Sequence, residues 1–234
     1  MSKNKETLSV VISTKKIDED YIKHVKKMFS QPDTEILVYE NDGEKSLTEV
    51  YNIGLRESKN DIVVFMHDDL ILETPNMTPK IVNMISKNSF NSNYGIIGIA
   101  GTDKLTSGRW WDNRENMFGV VGHIHEGKRH VNHYSKGVFN EKLKDVVVVD
   151  GLFFIVHKGR IKKNFNEEFK GVHFYDIPFC VENYLEGVKI GLTTKFGITH
   201  KSVGITNKQW EKNKLFFEAL YEKNLPLEIP PITW

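Results

Sequence analysis

The sequence predicts an α/β fold in which a single, mostly parallel sheet is flanked by helices. Three observations support this prediction. The chain begins with segments that alternate as β-α-β-α-β, an order that implies parallel strands joined by right-handed crossovers. The third strand segment, Ile62–Met66, is a short run of β-branched and aromatic residues, typical of buried parallel strands. The polar residues His67, Asp68 and Asp69 follow it directly, at the strand end where open α/β sheets bind ligands.

The first part of the chain alternates between the two kinds of segment. Strands are predicted over residues 8–14, 35–39, 62–66 and 94–101, and helices over residues 17–29, 47–57 and 75–88. The first helix has acidic residues in its first turn and two lysines near its end, and both features suit the helix dipole. The second helix follows a capping-box pattern, Ser46-Leu-Thr-Glu49, which marks its start.

Regular patterning fades after residue 101 and returns near residue 144. The predicted elements are a hairpin over 118–134, strands over 146–149, 152–156 and 188–193, helices over 173–185 and 206–223, and an extended arm over 225–234. Pro178 must lie near the first turn of its helix or kink it. No repeat or low-complexity linker interrupts the sequence, so we expect one domain over residues 1–234.

Composition excludes several classes of protein. The 234 residues include 32 basic and 31 acidic side chains, so no overall field favours nucleic acid or an anionic membrane. The lone Cys180 cannot form an intramolecular disulfide and fits a reducing compartment. Residues 1–7 are polar, and no apolar stretch reaches the roughly 20 residues of a membrane helix. We expect a cytoplasmic protein without a transmembrane segment, with peripheral membrane contact through a partner or lipid acceptor left open.

The residues that end the third strand carry the chemistry. Asp and His are ligands for divalent cations, so His67, Asp68 and Asp69 predict a metal-dependent nucleotide site. Two acidic residues after a strand are more often a solvated loop, but their place after the third strand of the β-α-β-α-β series favours the site. No Gly-x-Gly-x-x-Gly follows the first strand and no Gly-x-Ser-x-Gly elbow occurs, which disfavours a dinucleotide-binding enzyme and an α/β-hydrolase.

Further motifs follow in a defined order. They are residues 46–54 (Ser-Leu-Thr-Glu-Val-Tyr-Asn-Ile-Gly), 65–70 (Phe-Met-His-Asp-Asp-Leu), 98–101 with Trp110-Trp111, Asp150-Gly151, 173–180 (His-Phe-Tyr-Asp-Ile-Pro-Phe-Cys) and 200–204 (His-Lys-Ser-Val-Gly). Together they resemble the GT-A glycosyltransferases, within them the family-2-like group with His-Asp-Asp in place of Asp-x-Asp. The resemblance covers most of the chain. It implies a GT-A fold with a Rossmann-like N-terminal half, residues 1–101 binding the nucleotide and residues 102–234 forming the acceptor and catalytic half.

The resemblance implies a divalent cation, Mn²⁺ or Mg²⁺, which neutralises a nucleoside diphosphate leaving group. It places His67 and Asp69 at the two ends of the Asp-x-Asp triplet. We expect Asp69 to ligate the metal and Asp68 to contact the ribose or the metal shell. His67 replaces the usual Asp and either ligates or orients. His200 is expected as a further ligand or pyrophosphate contact, against the alternative of an ordinary histidine among the nine in the chain.

Nucleotide recognition is expected from the ends of the first two strands. Ser13 offers a hydroxyl and backbone donors, while Asn41 and Asp42 follow the second strand, where an acidic group can accept the imide proton of uracil or guanine. The expected donor is therefore a UDP- or GDP-linked sugar. The alternative for residues 41–43 is a plain turn, because Asn, Asp and Gly are favoured turn residues. Asn52, within the following helix, matches an asparagine typical of the family and is assigned to the same site.

Asp176 is the expected catalytic base. Inverting transfer needs a carboxylate that takes the proton from the acceptor hydroxyl as it attacks the anomeric carbon. The resemblance aligns Asp176 with the Asp of the Glu-Asp pair of the family, with Tyr175 in place of the Glu. The alternative is an acid that only stabilises the start of a helix. Pro178 stands where related sequences often carry a second acid, and Glu182 where they often carry an Arg.

The irregular segment after residue 101 is expected to form the acceptor side of the site or a lid. Trp110 and Trp111 can stack on sugar rings, although packing onto the sheet is at least as good an explanation for one of them. Trp110, Asp150 and Gly151 are assigned to the nucleotide-sugar site. Four histidines in the predicted hairpin lack an accompanying cysteine and are better explained as one face of a strand pair than as a zinc site. They are His123, His125, His130 and His133.

The predicted function is a metal-dependent, inverting, non-processive transfer of a hexosyl or similar group to a hydroxyl of a glycan, protein or lipid-linked acceptor. The Gln-x-x-Arg-Trp motif of processive synthases is absent. One alternative is a nucleotidyltransferase, which would normally carry a glycine-rich loop where this chain has Ser13-Thr-Lys-Lys16. Another is a non-catalytic module that binds a nucleotide sugar. No nucleic acid partner is expected, and a homo-oligomer is left open.

Overall fold

The structure, a computed structural model, describes residues 7–86, 93–134, 143–202, 204 and 206–230. The predicted polar N-terminus, the end of the helix predicted over 75–88 and the end of the C-terminal arm lie partly outside these residues. Within them the strands are β1 (Leu8–Thr14), β2 (Glu35–Glu40), β3 (Ile62–Met66), β4 (Leu70–Leu72), β5 (Tyr94–Gly98), β6 (Ala100–Thr102), β7 (Lys104–Leu105), β8 (Met117–His125), β9 (Lys128–Tyr134), β10 (Lys144–Val146), β11 (Val148–Val149), β12 (Phe153–His157), β13 (Lys189–Leu192), β14 (Ile198–His200) and β15 (Leu227–Glu228). The helices are α1 (Glu19–Phe29), α2 (Leu47–Glu57), α3 (Met77–Ile85), α4 (Asp176–Leu185) and α5 (Lys208–Leu220), with 3₁₀ turns at Arg114–Asn116 and Glu222–Asn224.

The largest sheet has seven strands in the order β10-β13-β5-β12-β3-β1-β2. Strands β2, β1 and β3 are parallel, as predicted, but β12 runs antiparallel to both of its neighbours, β3 and β5. Strands β5 and β13 run in the same direction as these three, and β10 runs with β12, so the sheet is mixed: mostly parallel, as predicted, but not purely so. The apolar run of β12 could not indicate its direction, because a buried antiparallel strand is as apolar as a parallel one.

The predicted β-α-β-α-β beginning is present and aligns the polar strand ends. Thr14 of β1 lies opposite Glu40 of β2, and Ile12 lies opposite Met66 of β3, so all three carboxyl ends reach one edge of the sheet. Asp18 caps α1 by accepting from backbone N–H groups, and the capping box of α2 is present. These local capping hydrogen bonds thus fix the first residues of α1 and α2, the helices that connect the parallel strands.

A second sheet, which the sequence did not predict, has the order β11-β6-β8-β14-β4, with β9 also paired to β8. The segment predicted as one strand over 94–101 breaks at Ile99, and the chain over 144–149 breaks at Val147. In each case the first half joins the large sheet and the second half joins the second sheet. Both breaks fall within apolar runs, so the hydrophobic pattern carries no sign of the change of sheet. The predicted hairpin is confirmed as β8 and β9.

A cluster of aromatic rings fills the space between the large sheet and the helices that follow its strands. Tyr51 of α2 lies 4.7 Å from Phe65 of β3, and Phe165 stacks on Phe179 of α4 at 4.2 Å. Tyr175 meets the edge of Tyr51 at 5.3 Å between ring centroids. Each such pair adds about 1 kcal/mol beyond area burial, so the residue before α4 is held firmly against the core.

Helix α4 starts later than predicted, at Asp176 rather than residue 173. Phe174 has a left-handed backbone, with a φ of 59°, which a helix cannot continue through. Pro178 is the third residue of α4, where its missing N–H costs nothing because the first turn has no intrahelical acceptor. No helix among the described residues combines the length and apolarity needed to cross a bilayer.

Candidate active site

A cavity of about 990 Å³ opens at the edge where β1, β2 and β3 end. Cavities of this size hold ligands as large as a nucleotide sugar. Ten of the residues proposed from the sequence line it: Ser13, Asn41, Asp42, His67, Asp68, Asp69, Trp110, Asp150, Asp176 and His200. The parallel register of the first three strands accounts for the first six of these.

Three of the lining residues form a compact cluster. The ligand atoms of His67, Asp69 and His200 lie within 4.8 Å of one another. Nε2 of His200 is 3.0 Å from Oδ1 of Asp69, and Nδ1 of His67 is 4.0 Å from the same oxygen. His67 is thus turned towards the cluster, which supports its role as a ligand.

The second sheet brings His200 to Asp69. Antiparallel pairing of β14 with β4 places His200 opposite Leu70, and the Lys201 N–H donates to the Asp69 carbonyl at 3.0 Å. The backbone of His67 is fixed separately, because its N–H donates to the Leu152 carbonyl and its carbonyl accepts from the Tyr21 hydroxyl at 2.8 Å. The three side chains are therefore positioned by strand pairing rather than by a loose loop.

Burial and charge set the protonation of the cluster. Burial, aided by the neighbouring His200, lowers the pKa of His67 to about 4, so its imidazole is neutral at physiological pH. Burial alone would raise the pKa of Asp69, but the contact with His200 outweighs it and lowers the pKa to about 2. Burial would lower the pKa of His200, and Asp69 instead raises it.

This cluster fits a divalent cation. Oδ1 of Asp69 is buried and receives no well-directed hydrogen bond, although two imidazole nitrogens face it. A buried carboxylate oxygen without a hydrogen bond is costly unless another positive group completes its surroundings. One carboxylate and two imidazoles are a donor set that binds first-row transition ions well.

Asp176 occupies the start of α4 and lines the same cavity. Its Oδ2 accepts from the Gly151 N–H at 2.8 Å and its Oδ1 from the Ile177 N–H at 2.9 Å. Burial and then the negative charge of Asp150 raise the pKa of Asp176 to about 7. A carboxylate with this pKa is a proton acceptor matched to neutral pH. Gly151 lies behind Asp176 and does not line the cavity.

The nucleotide end is formed by the ends of β1 and β2. The Asn41 side chain both donates to the Lys45 carbonyl and accepts from the Lys45 N–H, which closes a turn over residues 41–45. Asn41 therefore has the turn role that was left open. The exposed Asp42 carboxylate and Ser13 both line the cavity.

Asn52 does not line the cavity, so its assignment to the nucleotide site stays a prediction. The side chain is buried, and its amide donates to the Phe165 carbonyl at 2.9 Å and to the Glu167 carboxylate at 2.7 Å. Its Oδ1 accepts from the Phe165 N–H at 3.0 Å. Asn52 thus ties the segment 165–167 to α2.

The two adjacent tryptophans have different surroundings. Trp110 is 5% exposed and packs inside, whereas Trp111 is 39% exposed at the mouth of the cavity. Trp210 of α5 lies 5.9 Å from Trp111 and also lines the cavity, with the Arg109 guanidinium 5.3 Å from its ring. Sequence reasoning gave Trp210 no site role, because helical periodicity indicates the buried face of a helix but not what that face contacts.

The sequence also gave no site role to two residues that contact the cluster. The Tyr175 hydroxyl lies 2.6 Å from Nε2 of His67, and Ser202 Oγ lies 3.1 Å from Nε2 of His200. The one signal for Tyr175 was its place directly before Asp176. Among the histidines of the hairpin, His123 lines the cavity, because β8 lies beside β14 with His123 opposite His200.

Comparison with known proteins shows the family and the fold of the chain. Residues 9–222 match the model of a glycosyltransferase-like family. No curated protein matches the sequence. The structure of GalNAc-T7 with UDP, GalNAc and Mn²⁺ matches with a TM-score of 0.57 and 10% identity, covering 93% of this chain and 48% of that one. A197 from STIV matches with a TM-score of 0.49 and 11% identity, covering 84% and 86%. The chain thus spans about half the length of GalNAc-T7, and the expected GT-A fold is confirmed.

The placement of Asn52 leads to a first prediction. Asn52→Ala removes three hydrogen bonds from a buried segment, so we expect a loss of about 2–3 kcal/mol in the free energy of unfolding, measured by urea denaturation. Affinity for UDP or GDP, measured by calorimetry on the folded variant, should not change. Asp42→Ala is the matched comparison, with weaker nucleotide binding and unchanged stability. A loss of nucleotide affinity in Asn52→Ala at unchanged stability would contradict a purely structural role for Asn52.

Proposed function

The chain belongs to the glycosyltransferase-like family, and we propose that it is a metal-dependent, inverting, non-processive enzyme that moves a sugar from a nucleotide sugar to a hydroxyl acceptor. The observation that carries this proposal is the presence in one cavity of the His67, Asp69 and His200 cluster together with Asp176. The cluster supplies cation ligands and Asp176 supplies a base. A metal-dependent inverting transfer needs both parts in the cavity that binds the donor and the acceptor.

Asp69, His200 and His67 would hold the cation. When bound, it neutralises charge on the diphosphate that leaves. Asp69 brings the negative charge, while the imidazoles of His67 and His200 bring nitrogen lone pairs. Two nitrogen donors favour Mn²⁺ over Mg²⁺, because Mg²⁺ is bound mostly through oxygen. GalNAc-T7, which shares the fold, was crystallised with UDP, GalNAc and Mn²⁺, and this supports the proposal.

Asp176 is proposed to accept the proton of the attacking hydroxyl. The backbone N–H groups of Gly151 and Ile177 hold its carboxylate in one orientation. Burial, and then the negative charge of Asp150, raises the pKa of Asp176 to about 7 and so keeps it basic enough to act at neutral pH. A base that activates the acceptor on the face opposite the leaving diphosphate produces inversion at the anomeric carbon.

The two ends of the cavity differ in chemistry. Ser13 and Asp42 at the strand ends offer hydrogen-bonding groups suited to the ribose and imide edge of a UDP or GDP moiety. Trp111 offers an exposed aromatic face at the mouth, which suits the C–H face of a sugar ring, and the buried Trp210 packs beside it. We therefore favour an arrangement with the nucleotide sugar at the polar end and the acceptor at the aromatic end. Among glycan, protein and lipid-linked acceptors, a glycan fits the aromatic end best.

Metal dependence is tested by titrating UDP- and GDP-sugars into the protein with Mn²⁺, with Mg²⁺ and with neither, by calorimetry. We expect binding with Mn²⁺ to be the tightest, and Asp69→Ala to weaken it by roughly 100-fold or more. Asp68→Ala, one residue earlier in the same loop, is the matched control and should lose less. Equal losses in the two variants would show that the metal assignment is wrong.

The role of Asp176 predicts a pH dependence. Since the base must be deprotonated and the pKa of Asp176 is about 7, log kcat/KM should rise with pH and level off above about 7. Asp176→Asn should lower kcat by about 10²- to 10⁴-fold while donor affinity is kept. Asp150→Asn removes the neighbouring negative charge, so the rising limb should move to lower pH. A profile unaltered in Asp150→Asn would contradict the electrostatic coupling.

The tryptophan at the mouth of the cavity predicts that acceptor binding can be weakened without a change in donor binding. Trp111→Ala should raise KM for a glycan acceptor about 10-fold, the loss of roughly one stacking interaction, with KM for the donor unchanged. Phe216→Ala is the matched control, because Phe216 is also 39% exposed but does not line the cavity. If Trp111→Ala acts equally on donor and acceptor, the proposed arrangement of the cavity is incorrect.

A further inference from the structure

His67 is contacted on both of its ring nitrogens. Nδ1 faces the cluster, 3.4 Å from Nε2 of His200 and 4.0 Å from Oδ1 of Asp69. Nε2 points the other way and lies 2.6 Å from the hydroxyl of Tyr175. In a neutral imidazole one nitrogen carries the proton and the other has the lone pair. The partner of Nε2 therefore decides whether Nδ1 can ligate a cation.

The position of Tyr175 depends on a glycine. A Cβ atom at residue 151 would overlap the hydroxyl and the ring of Tyr175, so no other residue fits there without displacing the tyrosine. On its other side the Tyr175 ring meets the edge of Tyr51, at an interplanar angle of 88°. Tyr175 is 5% exposed. Its hydroxyl is thus fixed on His67 by packing from both sides.

We propose that Tyr175 is the positioning residue for His67. Its oxygen accepts the Nε2–H, the Nδ1 lone pair is presented to the cation beside Asp69 and His200, and Gly151 leaves the space that this requires. This inference rests on the proposed metal-dependent function. It makes Gly151, Tyr175 and His67 one unit, although they come from three separate parts of the chain.

The unit gives a physical reason for the histidine in place of the first Asp of Asp-x-Asp. A carboxylate has lone pairs on both oxygens and can ligate in several orientations without a partner. An imidazole ligates from one nitrogen, and only when the proton stays on the other. A histidine at position 67 therefore needs an acceptor on its far side, and Tyr175 supplies one where the family pattern has a Glu.

A second tyrosine provides a matched control. The Tyr21 hydroxyl donates to the backbone carbonyl of the same His67 at 2.8 Å, and Tyr21 is also buried. Tyr175→Phe and Tyr21→Phe each remove one buried hydroxyl from His67. They differ in that Tyr175 contacts the ring and Tyr21 the backbone. A purely structural effect would appear in both variants, and an effect on the tautomer only in Tyr175→Phe.

The test measures Mn²⁺ affinity of the full chain by electron paramagnetic resonance of the free ion. Tyr175→Phe should weaken binding about 10- to 100-fold, the usual cost of losing a hydrogen-bond partner of a metal ligand. Tyr21→Phe should change it by less than about 3-fold. Gly151→Ala, which keeps the hydroxyl but displaces it, should weaken binding as Tyr175→Phe does. Wild-type affinity in either Tyr175→Phe or Gly151→Ala would overturn the proposal.

A double-mutant cycle adds a measurement that an effect of packing alone would not change. In a His67→Asp background no ring nitrogen needs orienting, so Tyr175→Phe should change Mn²⁺ affinity by less than about 3-fold. The same loss in both backgrounds would mean that Tyr175 acts through packing. If His67→Asp binds too weakly to measure, the contrast between Tyr175→Phe and Tyr21→Phe decides.

The outcomes also separate this inference from the proposed function. If the wild-type protein binds no Mn²⁺, or if Asp69→Ala binds as well as wild type, the metal-dependent function fails. If wild type binds, Asp69→Ala does not, and Tyr175→Phe binds like wild type, only the role of Tyr175 fails.

Discussion

The pairing of two short strands, β4 and β14, is the constraint on which the site depends. Strand β4 begins one residue after Asp69, and β14 ends at His200, so their antiparallel register brings two distant parts of the chain together. The buried Thr199 strengthens the junction by donating to Glu73 at 2.7 Å and accepting from Arg129 of β9 at 2.9 Å. Without this pairing Asp69 would keep only the more distant imidazole of His67 and would lose that of His200.

The second sheet exists because two apolar segments change sheets, at Ile99 and at Val147. The change at Ile99 carries the chain out of the large sheet at the edge where β3 and β5 end, and β11 then pairs with β6, so the second sheet forms a wall beside that edge. Asp150 and Trp110 follow these segments, and both line the cavity. The cavity is therefore a consequence of how the two sheets diverge, rather than of a single loop that covers a flat sheet.

Sequence reasoning succeeded where the physics is local. The capping box fixed the start of α2, the β-branched run fixed β3, and parallel crossovers placed Ser13, Asn41 and His67 at one edge. It failed where the answer lies in tertiary contacts. The direction of β12 and the existence of the second sheet leave no mark in an apolar pattern. The hydrogen bonds of Asn52 could not be predicted either, because a residue within a helix contacts whatever its face of the helix meets, here the segment 165–167.

Two aspartates in the cavity, Asp69 and Asp176, have pKa values shifted in opposite directions. Asp69 faces the imidazole of His200, and that contact lowers its pKa to about 2 despite burial. Asp176 faces Asp150, and burial with a like charge raises its pKa to about 7. The first is a permanent anion suited to holding a cation, and the second can exchange a proton at neutral pH. The neighbours His200 and Asp150, rather than the identity of the side chain, thus distinguish the proposed ligand from the proposed base.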